Sequence, residues 1–161
     1  MPAAKGGFES DMATKRLGAG LFSILAMAAA CASAPKLPVF GTWKIASYST
    51  PGVSTQPPVQ VLSWIGESAT FGSGDIRFGS HRCSSPKYTP RTLSAAEFQQ
   101  EYKVAPAALG ISGDQITLYR FECAYEWGAR ANTLIVKSPT SLLSPLDGSF
   151  FELVKTPSSL K

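Results

Sequence analysis

The sequence contains one histidine and only three cysteines among its 161 residues. Zinc sites need several histidine, cysteine or carboxylate ligands at set spacings, and the chain has neither a second histidine nor a C-x-x-C pair. It also lacks the G-x-S-x-G elbow of serine hydrolases, and Gly72-Ser-Gly74 is typical of a turn rather than a phosphate loop. We therefore expect no catalytic set, no metal site and no cofactor.

The chain also lacks an apolar run long enough to span a membrane, which takes about 20 residues. The longest such run covers the fourteen residues 17–30, between the basic pair Lys15-Arg16 and the small residues 31–34. A basic stretch, a short apolar stretch and a small-residue exit are the layout of a secretory signal. The sequence predicts a signal peptide over residues 1–31 and a periplasmic or secreted location.

The start and the end of this leader need separate interpretation. Glu9 and Asp11 are unusual in a leader, so we predict that Met12 is the true start. Residues 30–32 fit the A-x-A pattern of ordinary cleavage. Alternatively, the stretch that ends at Cys31 resembles the lipobox of bacterial lipoproteins, in which the cysteine is acylated. Lipidation of Cys31 would anchor the protein to the outer membrane, and it is the only membrane contact that we expect.

Charged residues are few, at 16% of the chain. Removal of residues 1–31 takes away three cations and two acids, which leaves 12 cations, 9 acids and a net charge of +3. This mild excess favours an anionic partner only weakly and gives no reason to expect nucleic acid binding. By length the rest is one domain. We divide it into a linker over 32–38, a β-domain over 39–156 and a flexible tail over 157–161, and expect a monomer.

Two cysteines, Cys83 and Cys123, remain once the leader is removed. A single pair outside the cytoplasm predicts a disulfide, with two free buried thiols as the alternative. Because the two residues lie forty positions apart, the chain-entropy model assigns such a bridge about 4 kcal/mol of stabilisation.

Short segments of alternating apolar residues recur along the domain. Residues 39–49 predict a first strand with Gly41, Trp43 and Ile45 on one face, and residues 115–125 predict the clearest strand. Further strands are predicted over 68–71, 75–78, 132–137, 142–146 and 149–154. This pattern indicates an all-β fold, a small antiparallel β-barrel or sandwich of about seven to eight strands.

Two local motifs give sharper predictions. Ser94-Ala-Ala-Glu97 is a capping box, which predicts one short helix from Ala95 to about Tyr102. Asp147-Gly148 is typical of a two-residue hairpin turn, and Pro145 predicts that its strand lies at an edge or beside a bulge. Residues 59–65 are apolar and fit either a strand or a short helix.

The first predicted strand also carries a resemblance to a known family. Phe40-Gly41-Thr42-Trp43 follows a proline-containing lead-in and resembles the G-x-W element of lipocalins and related calycin-type small β-barrels. The resemblance implies that Gly41 permits close packing, that Trp43 plugs the barrel floor, and that the interior is either packed or holds one small ligand. Lipocalins also carry a late arginine that stacks on this tryptophan. Residues 132–154 hold no arginine, which leaves Arg120 and Arg130 as candidates.

A cluster of cations lies in residues 77–91, which contain no acid. The prolines of this region predict an irregular segment over residues 79–92, tethered through Cys83. A fixed cationic loop could bind an anionic ligand or surface, whereas the alternative is ordinary solvated charge. The candidate ligand-binding or partner-binding residues are Arg77, His81, Arg82, Lys87 and Arg91.

An aromatic series on the clearest strand is a second candidate site. Tyr119, Phe121 and Tyr125 share one strand face, and Trp127 follows them. Such a face is typical of a core, with a ligand platform as the alternative.

These observations favour a non-catalytic secreted or periplasmic binding protein with a lipocalin-like barrel, which binds a small apolar or anionic ligand. The alternative is an inhibitor, immunity or assembly protein that binds an envelope or exported enzyme through its loops. A third reading, an enzyme built on His81, lacks any second catalytic group. The sequence identifies neither the ligand nor the protein partner.

Overall fold

The computed structural model describes residues 36–55, 58–123 and 132–157. The predicted leader with Met12 and Cys31, most of the linker, and the last four residues of the tail lie outside the described residues. So do Tyr125 and Trp127 of the aromatic series.

The described chain forms nine antiparallel strands in one curled, half-barrel sheet. The strands are β1 (Gly41–Ser49), β2 (Ser68–Phe71), β3 (Asp75–Phe78), β4 (His81–Ser84), β5 (Lys87–Ser94), β6 (Gln115–Glu122), β7 (Thr133–Ser138), β8 (Ser141–Leu146) and β9 (Ser149–Lys155). Their order across the sheet is β4-β3-β2-β1-β9-β8-β7-β6-β5. Two helices, α1 (Pro58–Ser63) and α2 (Ala95–Tyr102), and a 3-10 turn (Pro106–Leu109) complete the fold. The predicted all-β class with a short helix is confirmed.

Residues 79–92, predicted to be irregular, instead form the two strands β4 and β5. Ser85 lies between them with a positive φ of 54°, which turns the chain without a long loop. Pro90 pairs with Tyr119 of β6, and no described strand pairs with the other side of β5. An edge strand tolerates proline because the missing N–H has no ladder to complete on its open side. Pro90 therefore lies on an edge strand rather than in a loop.

Both local motifs form as predicted. At the start of α2 the Glu97 N–H donates to Ser94 Oγ at 3.3 Å, and the Ser94 N–H donates to Glu97 Oε2 at 2.7 Å. Between β8 and β9, Asp147 and Gly148 have φ values of 47° and 87°. Two consecutive positive φ angles define the type I′ turn, whose twist suits a tight hairpin.

Pro145 does not lie on an edge strand, because β8 runs between β7 and β9. The hairpin closes with the pair Leu146 and Ser149, and the next pair joins Pro145 to Phe150. Hydrogen-bonded and non-hydrogen-bonded pairs alternate in an antiparallel ladder. The Pro145 nitrogen therefore faces β7, whose register with β8 ends at Leu143. The proline is tolerated here because the β7–β8 ladder stops before reaching it.

The sheet carries a separate hydrophobic core on each face. Successive strand residues point to opposite faces, so the adjacent buried pairs Leu134-Ile135, Leu142-Leu143 and Phe150-Phe151 each divide between the two cores. The inner core lies within the curl and includes Trp43, Ile45, Phe71, Ile76, Phe121 and Leu153. The outer core lies under α2 and the 3-10 turn and includes Leu93, Phe98, Leu109, Ile116 and Leu118.

The predicted disulfide between Cys83 and Cys123 is present, with the two Cα atoms 5.6 Å apart. Cys83 lies on β4, at one end of the sheet, and Cys123 follows directly after β6, near the other end. The bridge therefore joins the two ends of the curled sheet, which no described strand pairing does.

Candidate functional site

Trp43 is fully buried at the start of β1, where its indole N–H donates to the Val39 carbonyl at 2.9 Å. The ammonium of Lys155, its register partner on the last strand, lies 5.0 Å from the ring centroid, within cation–π range. Gly41 has a φ of 134°, and a Cβ there would lie 3.4 Å from Lys155 Cε. The cation over this tryptophan is thus a late lysine, which a search for arginine alone could not find.

The predicted cationic segment begins with an acid-bound pair. Arg77 and Arg82 are cross-strand partners on β3 and β4, and both contact Asp75 Oδ2, at 2.8 Å and 3.3 Å. The hydrogen bond from Arg77 is the main cause that lowers the pKa of Asp75. Asp75 lies just before residues 77–91, which contain no acid. The positive charge of Arg77 and Arg82 is therefore partly neutralised by the Asp75 carboxylate.

The remaining predicted site residues lie apart from that pair. His81 is exposed at the β3–β4 turn, opposite Phe78, and Lys87 is exposed opposite Glu122. Arg91 makes a two-pronged ion pair with Glu101 of α2, at 3.2 Å and 3.1 Å. Of the five predicted residues, the structure brings together only Arg77 and Arg82.

The curl of the sheet encloses little free space. An inner cavity of about 50 Å³ is lined by apolar side chains that include Ile45, Trp64, Phe71, Phe78, Phe121 and Phe151. Ligand pockets usually have volumes of about 300–1,000 Å³. Tyr119 and Phe121 of the predicted aromatic series are buried in the inner core, 8% and 2% exposed. The aromatic side chains largely fill the interior.

A larger cleft opens on the other face of the sheet, with a volume of about 340 Å³. It lies among β5, α2, β6, β7 and the β8–β9 turn, and we call it the outer cleft. Its lining includes Arg91, Tyr102, Leu118, Arg120, Asn132 and Phe150. Pro145 borders it at the point where the β7–β8 ladder has stopped. The ladder's early end thus coincides with open space beside the outer core.

Charges of both signs line the outer cleft. Burial raises the pKa of Tyr102 to about 12, and Glu101 adds to the rise, while the charges of Arg91 and Arg120 oppose it. Arg91 is held by Glu101. Within residues 36–55, 58–123 and 132–157, no side chain forms a hydrogen bond or an ion pair with the guanidinium of Arg120. From the sequence, Arg120 was a candidate only as the cation that stacks on Trp43.

A polar pair stands beside Arg120. Thr133 is its register partner on β7, and the Thr133 hydroxyl donates to Asn132 Oδ1 at 3.2 Å. Because that contact uses the carbonyl oxygen of the Asn132 amide, the amide NH₂ is left as a donor. The outer cleft therefore offers two kinds of hydrogen-bond donor above a floor formed by Leu118 and Phe150.

A hydroxyl–carboxylate contact lies elsewhere on the same face. The Ser141 hydroxyl and the Lys137 ammonium both donate to Glu152 Oε1, at 2.8 Å and 2.9 Å. The bond from Lys137 is the main cause that lowers the pKa of Glu152. A carboxylate with a lowered pKa is a weak base. This arrangement therefore suits an anchor between strands better than activation of the serine.

The described residues contain no group of three or more histidine, cysteine or acidic side chains placed to hold a metal ion. No helix among them is long and apolar enough to cross a membrane. Comparison of the chain with protein-family models, with curated proteins and with solved structures finds no match.

Proposed function

We propose that this chain is a non-catalytic secreted or periplasmic binding protein that holds a small ligand in the outer cleft. The observation that carries the proposal is the contrast in size between the two spaces, about 340 Å³ outside the sheet and about 50 Å³ inside it. Only the larger volume falls within the range of small-molecule sites. The outer cleft also combines the polar groups of Arg120 and Asn132 with the half-buried ring of Tyr102.

The lipocalin-like scaffold and the location outside the cytoplasm are parts of the same proposal. Lys155 over Trp43 supports the resemblance, because lipocalins use a late cation in this role. The disulfide is compatible with an oxidising compartment. In this proposal the curled sheet is a rigid support, and its outer face carries the ligand.

The absence of catalysis is proposed on two observations. Glu152, which contacts a serine hydroxyl, has a lowered pKa and is poorly suited to remove a proton. His81 is exposed on a short edge strand, away from both the inner cavity and the outer cleft. A general base has to lie within hydrogen-bonding reach of a bound substrate.

Native mass spectrometry of the full chain, purified gently and without reductant from its own envelope fraction, tests the proposal. We expect a retained small-molecule mass that disappears in Asn132→Trp, which fills the outer cleft. Thr92→Trp, on an exposed position outside the cleft, is the matched control and should keep that mass. A wild-type protein that carries no small molecule and takes up none from a cell extract would refute the proposal.

A second candidate, a protein-directed role as an inhibitor or assembly factor, is favoured by one surface. Val53, Val59 and Leu62 are 90%, 76% and 57% exposed, and residues 50–66 contain no charged residue. Val59 and Leu62 lie three residues apart on α1 and so share one face of that helix, and an exposed apolar patch is typical of a protein contact. A protein that co-purifies with the wild type and is lost with Leu62→Glu would support this role. A co-purifying protein that persists in that variant would argue against this surface.

A further inference from the structure

Two arginines belong to the described lining of the outer cleft, and only one of them has a partner among the described side chains. Both terminal nitrogens of Arg91 contact the two carboxylate oxygens of Glu101. Arg120 has no hydrogen-bond or ion-pair partner among the described side chains. Among the described residues, the lining holds two cations, Arg91 and Arg120, and two acids, Glu101 and Asp147, so the formal charge of this described lining is zero. An anion that binds at Arg120 therefore meets no excess of negative charge among the described lining residues.

The donors near Arg120 fit a carboxylate. A guanidinium presents parallel N–H groups in a planar fork that matches the two oxygens of a carboxylate. The NH₂ group of Asn132 lies next to Thr133, the register partner of Arg120, and adds a neutral donor. A ligand oxygen placed between these two groups would have donors on two sides.

The rest of the cleft fits an apolar body. Leu118 and Phe150 lie at the floor of the cleft but are only 1% and 4% exposed, so the apolar surface within reach of a ligand belongs mainly to the half-buried Tyr102 and Pro145. The Tyr102 ring lies edge-on to Phe150 with the ring centroids 6.1 Å apart. An aromatic or branched aliphatic group can pack against Tyr102 and Pro145, which a fully hydrated ion would not cover.

We infer that the outer cleft binds a small amphipathic monocarboxylate. In this inference, which rests on the proposed function, the carboxylate contacts Arg120 and Asn132, and the apolar body packs against Tyr102 and Pro145. A second negative charge on the ligand would be repelled by Glu101, because Arg120 is the one guanidinium of the described lining that has no side-chain partner among the described residues. The cleft therefore prefers one negative charge to two.

NMR titration of the full chain with benzoate, benzyl alcohol and inorganic phosphate tests this ligand class. Benzoate should shift the amide signals of Leu118, Arg120 and Asn132 and bind at least about tenfold more tightly than either other probe. Arg120→Gln should lower the affinity for benzoate at least about tenfold. Arg120→Lys keeps the charge but loses the planar guanidinium, so its affinity should lie between those of the wild type and Arg120→Gln. Arg77→Gln, an exposed arginine outside the cleft, is the matched control and should change nothing.

Equal benzoate affinity in wild type and Arg120→Gln would overturn the inference, provided that the thermal unfolding of the two proteins agrees. Tighter binding of phosphate or of benzyl alcohol would overturn it as well. These failures are distinct from failure of the proposed function. A native ligand that is lost in Asn132→Trp while benzoate does not bind leaves the outer cleft as a ligand site and removes only the monocarboxylate class.

Discussion

The two faces of this sheet are covered by different means. The inner face is enclosed by the sheet's own curl, and side chains from most of the strands fill it around Trp43. The outer face is covered by a local segment, α2 and the 3-10 turn, which packs on β5 to β9. The inner face, which many strands enclose, keeps a cavity of about 50 Å³. The outer face is covered by one segment, and the outer cleft of about 340 Å³ lies beside that segment. The larger of these two spaces therefore lies beside the segment that covers the outer face, and the smaller lies within the curl.

The largest expected effect of a substitution is on the inner face. Trp43→Ala should lower the free energy of unfolding by about 3–5 kcal/mol, because it removes a fully buried ring and leaves a cavity. Urea unfolding with the disulfide intact measures this loss. Trp43→Phe, which keeps most of the apolar volume, should lose clearly less. A cost below about 1 kcal/mol for Trp43→Ala would mean that the inner face is not the main source of stability.

Removal of the disulfide should affect the two faces unequally. The double variant Cys83→Ala, Cys123→Ala should lose about 2–5 kcal/mol. Loss of the bridge, which holds β4 to the end of β6, should increase the rate of amide exchange most on β4. The increase should be smallest on α2, where it should not exceed what the lower global stability causes. Equal loss of protection on β4 and α2 would show that both faces open as one unit.

A smaller effect is expected where the 3-10 turn meets β7. Gly110 has a φ of 70°, and a Cβ there would lie 3.1 Å from Lys137 Cε, whose ammonium is held by Glu152. Gly110→Ala should cost about 1–2 kcal/mol from the left-handed backbone alone. Gly52→Ala, with open space and no positive φ, is the control and should be nearly neutral. Equal unfolding midpoints for the two variants would contradict this packing.

The smallest effect concerns acid. Lys137 and Ser141 lower the pKa of Glu152 below its ordinary value of 4.5. A group with a lowered folded pKa stabilises the fold above its unfolded pKa and loses that contribution as pH falls through the folded pKa. Glu152→Gln should therefore be less stable than wild type at pH 7, and the difference should shrink by pH 3. A difference that stays constant with pH would exclude this ionisation as the cause.

Predictions that depended on a few neighbouring residues were confirmed. The capping box of α2 lies within four residues, and the Asp147-Gly148 turn needs only two positive φ angles. The strands β4 and β5 were missed because proline has different meanings in a loop and on an edge strand. Which of the two applies to Pro90 depends on whether another strand lies beside β5, and no local pattern contains that information.

The outer cleft was missed for a related reason. Its lining comes from α2, from β5 to β7 and from the β8–β9 hairpin. These elements are unevenly spaced along the chain, so no regular sequence pattern relates their residues. Arg120 stands out in sequence only as the one cation of the predicted strand over residues 115–125. Thr133 lies beside Arg120 because of the register between β6 and β7. Tyr102 lies near Arg120 because α2 packs on this face of the sheet. The members of the predicted cationic segment have different partners, because strand formation places Arg77 and Arg82 beside Asp75 and Arg91 beside Glu101.

The position of the disulfide has a consequence for how the chain reaches this fold. The covalent ring that it closes contains β5, α2, the 3-10 turn and β6, so nearly all of the outer cover lies inside the ring. Residues of β1 pair with β9 across more than a hundred positions, as Trp43 does with Lys155. Long-range strand pairing is slow because the intervening chain has to be confined first. In the oxidised chain the disulfide shortens the effective length of chain between β1 and β9. We therefore expect these two strands to pair faster in the oxidised chain than in the reduced chain.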